Sequence, residues 1–249
     1  MKRLSATFEL PLGHDFKRRA FDWASNFEVT CYLDSNGYQG VIGSEHDCLL
    51  AAGVVSQLLQ TTELGAFDAL KALVDEKGDW LFGYLTYDLK NDVEPRLASN
   101  NFDGIGFPAI HFFQPEVVIE VASQSVKINS LSEHPREIFN QISNCASRLS
   151  SFNARSPISP CISRSDYLET VQAIRQHIQR GDIYEMNFCQ AFFAEDFVLD
   201  VPTIFHKLND LGKAPFSAFY RLEGHFLLCA SPERFMKKVG QKLITQPIK

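Results

Sequence analysis

Short runs of β-branched and aromatic residues, each ending at a turn signal, recur along the chain. FEVTCYL (27–33) runs into an Asn-Gly turn, and VVIEV is followed by SVKINSL as its hairpin partner (117–131). Three further runs in 216–239 are separated only by Glu-Gly and Ser-Pro turns. Strands joined by turns this short pair in an antiparallel way. The sequence therefore predicts an α+β fold built on antiparallel sheet.

Helical periodicity appears in three places. Residues 63–77 precede Gly78 at a helix stop, a second helix begins at Pro135, and a third spans 165–180 with Ser165 as its N-cap. The third helix is expected to bury one apolar face, formed by Tyr167, Val171, Ile174 and Ile178. YEMNFCQAFF (184–193) is apolar on both faces, which predicts a strand at the centre of a sheet.

The segment 150–163 combines serine, asparagine and two prolines without periodicity, which is typical of a linker. We predict an amino-terminal region over 1–150, a linker over 151–165 and a second region over 166–249.

Composition excludes several classes of function. The net charge is −6 and no basic stripe is present, so nucleic acid is not an expected partner. No apolar run approaches the ~20 residues of a membrane span, and the start lacks the apolar core of a signal peptide. We expect a cytoplasmic protein that binds no membrane. The cysteines and histidines show no zinc-ligand spacing.

The last two strand-like runs, ERFMKKV and KLITQPIK, flank Gly240-Gln241 and predict a hairpin. With the turn centred on Gln241, Val239 would pair with Leu243 and Glu233 would lie opposite Lys249. A slip of one residue would separate the two side chains. Such a pair is most often a weak surface ion pair. If partly buried, it could instead be an amine nucleophile beside a proton donor.

Four motifs, in order and at similar spacing, resemble the aminodeoxychorismate synthase component I branch of the anthranilate synthase component I family. They are GDIYEMNFCQAF (181–192), APFSAFY (214–220), SPERF (231–235) and TQPIK (245–249). WLFGYLTYDL (80–89) and FPAIHFFQP (107–115) resemble its amino-terminal region. The resemblance implies a two-sheet antiparallel β-sandwich flanked by helices, of which the chain would hold only the part up to residue 249.

The resemblance also implies chemistry. Members bind chorismate and Mg²⁺, and the residue after Pro-Ile separates the branches: alanine in anthranilate synthases, lysine in aminodeoxychorismate synthases. Lys249 selects the second branch, whose product, 4-amino-4-deoxychorismate, leads to para-aminobenzoate and folate. The matching roles are nucleophile for Lys249 and proton donor for Glu233. Ligands for Mg²⁺ are expected after Lys249, so no metal-binding residue is assigned within the chain.

Ammonia is expected from a separate glutamine amidotransferase subunit. Two alternatives stay open: an anthranilate synthase-type enzyme, and a non-catalytic module that binds tryptophan. For tryptophan, the positions that match the family pocket are Ser35, Pro215, Phe216 and Ser217. The alternative for these four positions is ordinary turn chemistry, for which serine and proline are typical residues.

Overall fold

The structure is a computed structural model that describes residues 2–11, 15–38, 46–94, 96–146, 157–195 and 199–247. Within these ranges six α-helices and twelve strands form. The helices are α1 (Phe16–Ala24), α2 (Ala66–Lys77), α3 (Lys90–Val93), α4 (Pro135–Asn144), α5 (Arg164–Arg180) and α6 (Val201–Gly212). The strands are β1 (Leu4–Glu9), β2 (Val29–Asp34), β3 (Cys48–Gln60), β4 (Phe82–Leu85), β5 (Ile110–Ala122), β6 (Ser125–Ser130), β7 (Ser159–Pro160), β8 (Phe192–Phe193), β9 (Phe216–Leu222), β10 (His225–Ser231), β11 (Arg234–Val239) and β12 (Lys242–Gln246). No helix in these ranges has the length and apolar character needed to cross a membrane.

Eight strands form one antiparallel sheet in the order β1-β6-β5-β3-β2-β9-β10, with β4 paired to the other part of β5. β9 and β10 come late in the chain, yet β9 pairs directly with β2. The predicted α+β fold built on antiparallel sheet and flanked by helices is confirmed. The expected hairpin of 117–131 is also present, as β5 and β6.

One face of this sheet is covered by α1, α4 and α6. Phe21 of α1 and Phe205 of α6 contact each other and the fully buried Phe219 of β9. Ile138 and Ile142 of α4 complete the same core. α4 begins as predicted, with Pro135 in its first turn after the N-cap His134. Aromatic side chains of this size dominate the burial that stabilises such a core.

On the opposite face of the sheet, the pairing of β3 with β5 is irregular at one point. Gly53 lies at φ +73°, where a side chain would be strained, and the β3–β5 register shifts between Val54 and Ser56. A side chain at Gly83 of β4 would collide with the backbone oxygen of His111, so only glycine allows β4 to approach β5 this closely. A second core follows on this face, around Phe82, Phe113 and Tyr220.

The chain divides into two compact units, Met1–Leu149 with Val201–Lys249, and Ser150–Asp200. The smaller unit contains α5 and the two-residue strands β7 and β8, which pair with each other. The sequence-based boundaries at 150 and 165 rest on the composition of the 150–163 segment, and they stay a prediction.

The smaller unit corrects three expectations. α5 is capped by Ser163, whose hydroxyl accepts from the Asp166 amide, not by Ser165. The expected buried face is not fully buried: Tyr167, Val171 and Ile174 are half-buried and Ile178 is exposed. The predicted central strand over 184–193 reduces to β8, because β7 offers only two residues as a pairing partner. The errors on the helix face and on the strand have one cause. Apolar periodicity shows which side chains could be buried, but burial also needs a second surface to pack against.

Candidate functional site

Three strand ends meet at one edge of the large sheet. Asp34, the last residue of β2, pairs with Ser217 of β9, and Ser231, the last residue of β10, pairs with Phe216. This places Ser35, the segment Pro215–Ser217 and the Ser231–Glu233 turn at the same edge. The sequence motifs SPERF and APFSAFY, which are far apart from the 27–37 region in sequence, are thus neighbours in the fold.

A buried carboxylate organises this edge. Asp34 accepts hydrogen bonds from Lys17 Nζ at 2.8 Å, Tyr32 Oη at 3.0 Å, the Asn36 amide at 2.8 Å and Asn209 Nδ2 at 3.3 Å. Burial raises the pKa of Tyr32, so its hydroxyl remains a donor to Asp34. With donors from four residues, the charge of Asp34 is compensated and α1, β2 and α6 are fixed to one point.

The turn after β2 is fixed in the same way. Asn36 has φ +53°, a left-handed conformation that asparagine tolerates better than most residues. Its side-chain amide donates to the Ala214 oxygen at 2.8 Å, Asn209 Oδ1 at 2.9 Å and Ser217 Oγ at 3.3 Å. Ser35 donates its hydroxyl to the Asp47 oxygen at 3.0 Å. The four positions proposed for tryptophan are therefore brought together on a rigid polar support.

Glu233 lies in the tight turn between β10 and β11. Ser231 Oγ accepts from the Glu233 amide at 3.2 Å and donates to the Glu233 backbone oxygen at 3.0 Å, so the turn is held by its own serine. The guanidinium of Arg234 lies 4.9 Å from the centre of the Phe216 ring, a cation–π contact between SPERF and APFSAFY. Glu233 itself is exposed.

The terminal hairpin forms, but in a different register from the predicted one. Val239 pairs with Lys242 rather than Leu243, because the turn holds two residues, Gly240 and Gln241, with Gly240 at φ +57°. The register then shifts between Arg234 and Lys237 and ends with Arg234 opposite Gln246. The predicted register, from which Glu233 was placed directly opposite Lys249, is therefore wrong.

Lys249 lies outside the described residues, as does Ile248. Its role as nucleophile stays a prediction, and so does the role of Glu233 as proton donor. Among the residues that are described, no group of three or more histidine, cysteine, aspartate or glutamate side chains could hold a metal ion.

The sequence reasoning missed a second polar cluster, in the core on the far face of the sheet. His111 is fully buried, with Nδ1 2.6 Å from Tyr220 Oη and Nε2 3.0 Å from Gln57 Oε1. The amide oxygen only accepts, so Nε2 carries the proton and Nδ1 accepts from the tyrosine. Burial lowers the pKa of His111 to about 4 and raises that of Tyr220, so both stay neutral. His111, with both ring nitrogens hydrogen-bonded inside the core, is a structural histidine.

The signals for Asp34, Asn36 and Asn209 were equally weak in the sequence. Asp34 and Asn36 belong to an Asp-Ser-Asn-Gly stretch that predicts only a turn, and Asn209 is one polar residue in a helix. Their contacts span more than 170 residues of chain, a separation that no local pattern encodes.

The fold resembles that of a solved chorismate enzyme. The structure of MenF, the menaquinone-specific isochorismate synthase from Escherichia coli, superposes on this chain with a TM-score of 0.54 and 11% sequence identity. The match covers 95% of this chain and 53% of that one. At this identity the likeness defines the fold class alone: an antiparallel sheet flanked by helices.

The sequence then gives the family. The model of the chorismate binding enzyme family matches residues 21–249, so the chain belongs to the chorismate-binding enzymes.

Curated relatives carry two kinds of name. Aminodeoxychorismate synthase component 1 of Escherichia coli K12 is 38% identical over 88 residues, which is 35% of this chain and 19% of the relative. The protein of the same name from Klebsiella aerogenes is 29% identical over 169 residues, 67% of this chain and 37% of the relative. An anthranilate synthase component I-like protein of Synechocystis is 26% identical over 180 residues, 69% and 36% respectively. The chain spans well under two thirds of the length of these relatives.

Proposed function

We propose that the protein containing this chain aminates chorismate with ammonia to give 4-amino-4-deoxychorismate, a precursor of para-aminobenzoate and folate. The observation that carries the proposal is the terminal ribbon. Glu233 directly precedes Arg234, which pairs with Gln246, and Lys249 follows Gln246 by three residues. The ribbon thus joins the motif of the proposed acid to the motif of the proposed nucleophile.

The proposed chemistry proceeds in two displacements. The neutral amine of Lys249 adds to C2 of chorismate, both ring double bonds shift, and the C4 hydroxyl leaves as water after Glu233 protonates it. Ammonia then adds at C4, both double bonds shift back, and the C2–N bond breaks to release the lysine amine. The proton that ammonia loses returns Glu233 to its acid form, so charge and atoms balance over the cycle.

Mg²⁺, an amidotransferase subunit that supplies ammonia, and a cytoplasmic location are part of the same proposal through the family resemblance. Among the described residues, Glu233 would hold the proton and transfer it to the C4 hydroxyl group.

The test is product identity. Full-length protein is incubated with chorismate, MgCl₂ and ammonium chloride, and the products are separated by liquid chromatography with mass detection. The proposal predicts 4-amino-4-deoxychorismate without release of pyruvate. Anthranilate with an equivalent of pyruvate would show an anthranilate synthase-type reaction and would contradict it.

A second candidate, tryptophan binding, is favoured by one observation. Ser35, Pro215, Phe216 and Ser217 lie at one sheet edge, on the support built by Asp34 and Asn36. We expect saturable binding of L-tryptophan by calorimetry, weakened by Phe216→Ala and not by Leu211→Ala, an exposed residue of α6. Equal affinity in the two variants would remove this candidate.

A further inference from the structure

The connection between β4 and β5 is long and presents apolar side chains to solvent. It runs from Thr86 to Ala109, and its described residues, which leave out position 95, have no regular structure apart from a 3-10 turn at Tyr87–Leu89 and the short helix α3. Connections of this length in a compact domain are commonly functional. We define the outer patch as five residues of this connection and the segment before α2, each 62 to 95% exposed: Leu64, Tyr87, Val93, Phe102 and Ile105.

The connection is anchored at its base. Leu89, Ala109 and Ile110 are buried against Ala66 of α2. Thr86 binds the Ala109 oxygen through both its amide, at 3.1 Å, and its hydroxyl, at 2.8 Å. The two ends of the connection are thus held together while its middle projects outward.

Hydrogen bonds among its own residues fix the projecting part. Ser99 donates to Asp88 and accepts from Lys90 Nζ at 2.6 Å. Asp103 accepts from the amides of Ile105 and Gly106, at 2.9 and 3.0 Å, and these bonds lower the pKa of its carboxyl. Exposed apolar residues on a pre-ordered surface lose little conformational entropy when a partner binds.

A cleft of about 340 Å³ is lined by one residue of the outer patch, Ile105, together with Glu63, Asp88, Asp103 and Phe107, with smaller residues at its base. Glu63, Asp88 and Asp103 adjoin three further patch residues in the sequence, Leu64, Tyr87 and Phe102. Asp92 accepts from the Gly65 amide at 3.1 Å, which holds α3, with Val93, beside the segment that carries Leu64. Exposed apolar side chains near a cleft are a common setting of interface hot spots.

Charge decides which kind of partner fits. The described residues of the connection carry four carboxylates, on Asp88, Asp92, Glu94 and Asp103, against two cations, Lys90 and Arg96. Glu63 adds a fifth carboxylate at the cleft. A second copy placed across a two-fold axis would bring this acidic rim against itself, which is unfavourable. The surface instead complements a different protein with an apolar centre and a basic rim.

We propose that the outer patch is the docking surface for the glutamine amidotransferase subunit. The assignment of this partner rests on the proposed function, because amination from glutamine requires a subunit that delivers ammonia. Phe102 and Tyr87 would be the apolar anchors, and a lysine or arginine of the subunit would enter the cleft beside Asp88 and Asp103.

The test measures subunit binding and ammonia-dependent turnover separately, on full-length protein. The probe is the purified amidotransferase subunit of the source organism, with affinity measured by surface plasmon resonance. Phe102→Ala is expected to raise Kd by about 30-fold or more, as hot-spot truncations do. Leu211→Ala is the matched control, an equally exposed apolar residue of α6, and should leave Kd unchanged. Glu94→Lys should slow association and reduce its dependence on salt.

Each result has one meaning. Turnover with ammonium chloride should stay normal in Phe102→Ala, and glutamine-dependent turnover should fall with the loss of binding. Unchanged subunit affinity in Phe102→Ala and Tyr87→Ala would overturn the docking surface, whatever the reaction product. Wild-type protein that dimerises through the outer patch, and becomes monomeric in Phe102→Ala by ultracentrifugation, would overturn it as well. Failure of ammonia-dependent amination in the wild type would contradict the proposed function. The docking surface would still be tested by the subunit affinities of the wild type and the variants.

Discussion

The large sheet and the smaller unit use similar sequence patterns with opposite results. In the sheet, the alternating residues of β2 and β9 are buried on both faces, and buried polar groups such as Asp34 and His111 have partners. In α5 and the segment up to β8, residues with comparable periodicity are half-buried or exposed, and Tyr184 and Phe192 are among the exposed ones. The difference shows that periodicity defines a face, whereas a second surface decides whether that face becomes core. The terminal ribbon behaves like the smaller unit, with Phe235 88% exposed.

The largest expected effect is on chemistry. Lys249→Ala should reduce ammonia-dependent amination by on the order of 10³-fold or more, because the covalent route is lost. A role confined to chemistry also predicts an unchanged melting temperature. Steady-state kinetics and a thermal melt on the same preparation check both parts. Near-normal rates in the variant would leave the lysine as a charge partner only.

The next largest effect is on stability, and it differs between a phenylalanine of the sheet core and one of the terminal ribbon. Phe219→Ala removes a fully buried ring between Phe21 and Phe205 and should cost about 3–5 kcal/mol of unfolding free energy. Phe235→Ala removes an exposed ring and should change it by less than about 0.5 kcal/mol. Urea unfolding of both variants gives the values. Equal losses would mean that Phe235 is covered in the protein, and the contrast between the regions would fail.

The buried histidine of the large sheet, His111, predicts that the unfolding free energy depends on pH. The pKa of His111 is about 4 in the fold and ~6.5 when unfolded, so the unfolded state binds more protons between these values. Its contribution to stability is therefore complete above pH 6.5 and is lost as pH falls toward 4, by up to about 3 kcal/mol. Unfolding free energies measured from pH 7 to 4 should show this slope, and His111→Gln should flatten it.

A matched change removes the hydroxyl that supports this histidine. Tyr220→Phe leaves Nδ1 of His111 without its donor and should cost about 1–3 kcal/mol at pH 7. Tyr167→Phe is the control, in the smaller unit, where the ring stacks on Phe188 and the helix has no buried residue. A stability loss in the control as large as in Tyr220→Phe would contradict the proposed difference between the two regions.

The smallest effect concerns the helix without a core. α5 depends on its caps, with Ser163 at the start and Gly181, at φ +81°, at the end. Ser163→Ala should destabilise the helix by about 1 kcal/mol and increase amide exchange in its first turn. Ser165→Ala, the cap that the sequence favoured, should have little effect. The reverse order of effects would restore the sequence-based assignment.

The sequence was sufficient for the local features and insufficient for the long-range ones. The hairpin of β5 and β6, the start of α4 at Pro135 and the end of α2 at Gly78 followed from turn and capping chemistry, which depends on neighbours in the chain. The β2–β9 pairing, the Asp34 cluster and the His111–Tyr220 bond join residues more than 100 positions apart, and single-sequence patterns carry no such information. The ribbon register failed for a further reason: a two-residue turn and a bulge each move the pairing by one residue.

The central claim, covalent catalysis by Lys249 in the amination of chorismate, has a direct test. Full-length protein is incubated with chorismate and MgCl₂ in the absence of ammonia and glutamine, quenched in acid, digested and examined by mass spectrometry. The account predicts that the peptide containing Lys249 gains the mass of chorismate less one water, and that ammonium chloride added before the quench removes this adduct. An unmodified Lys249 peptide, in a preparation that forms 4-amino-4-deoxychorismate once ammonia is supplied, would contradict the account.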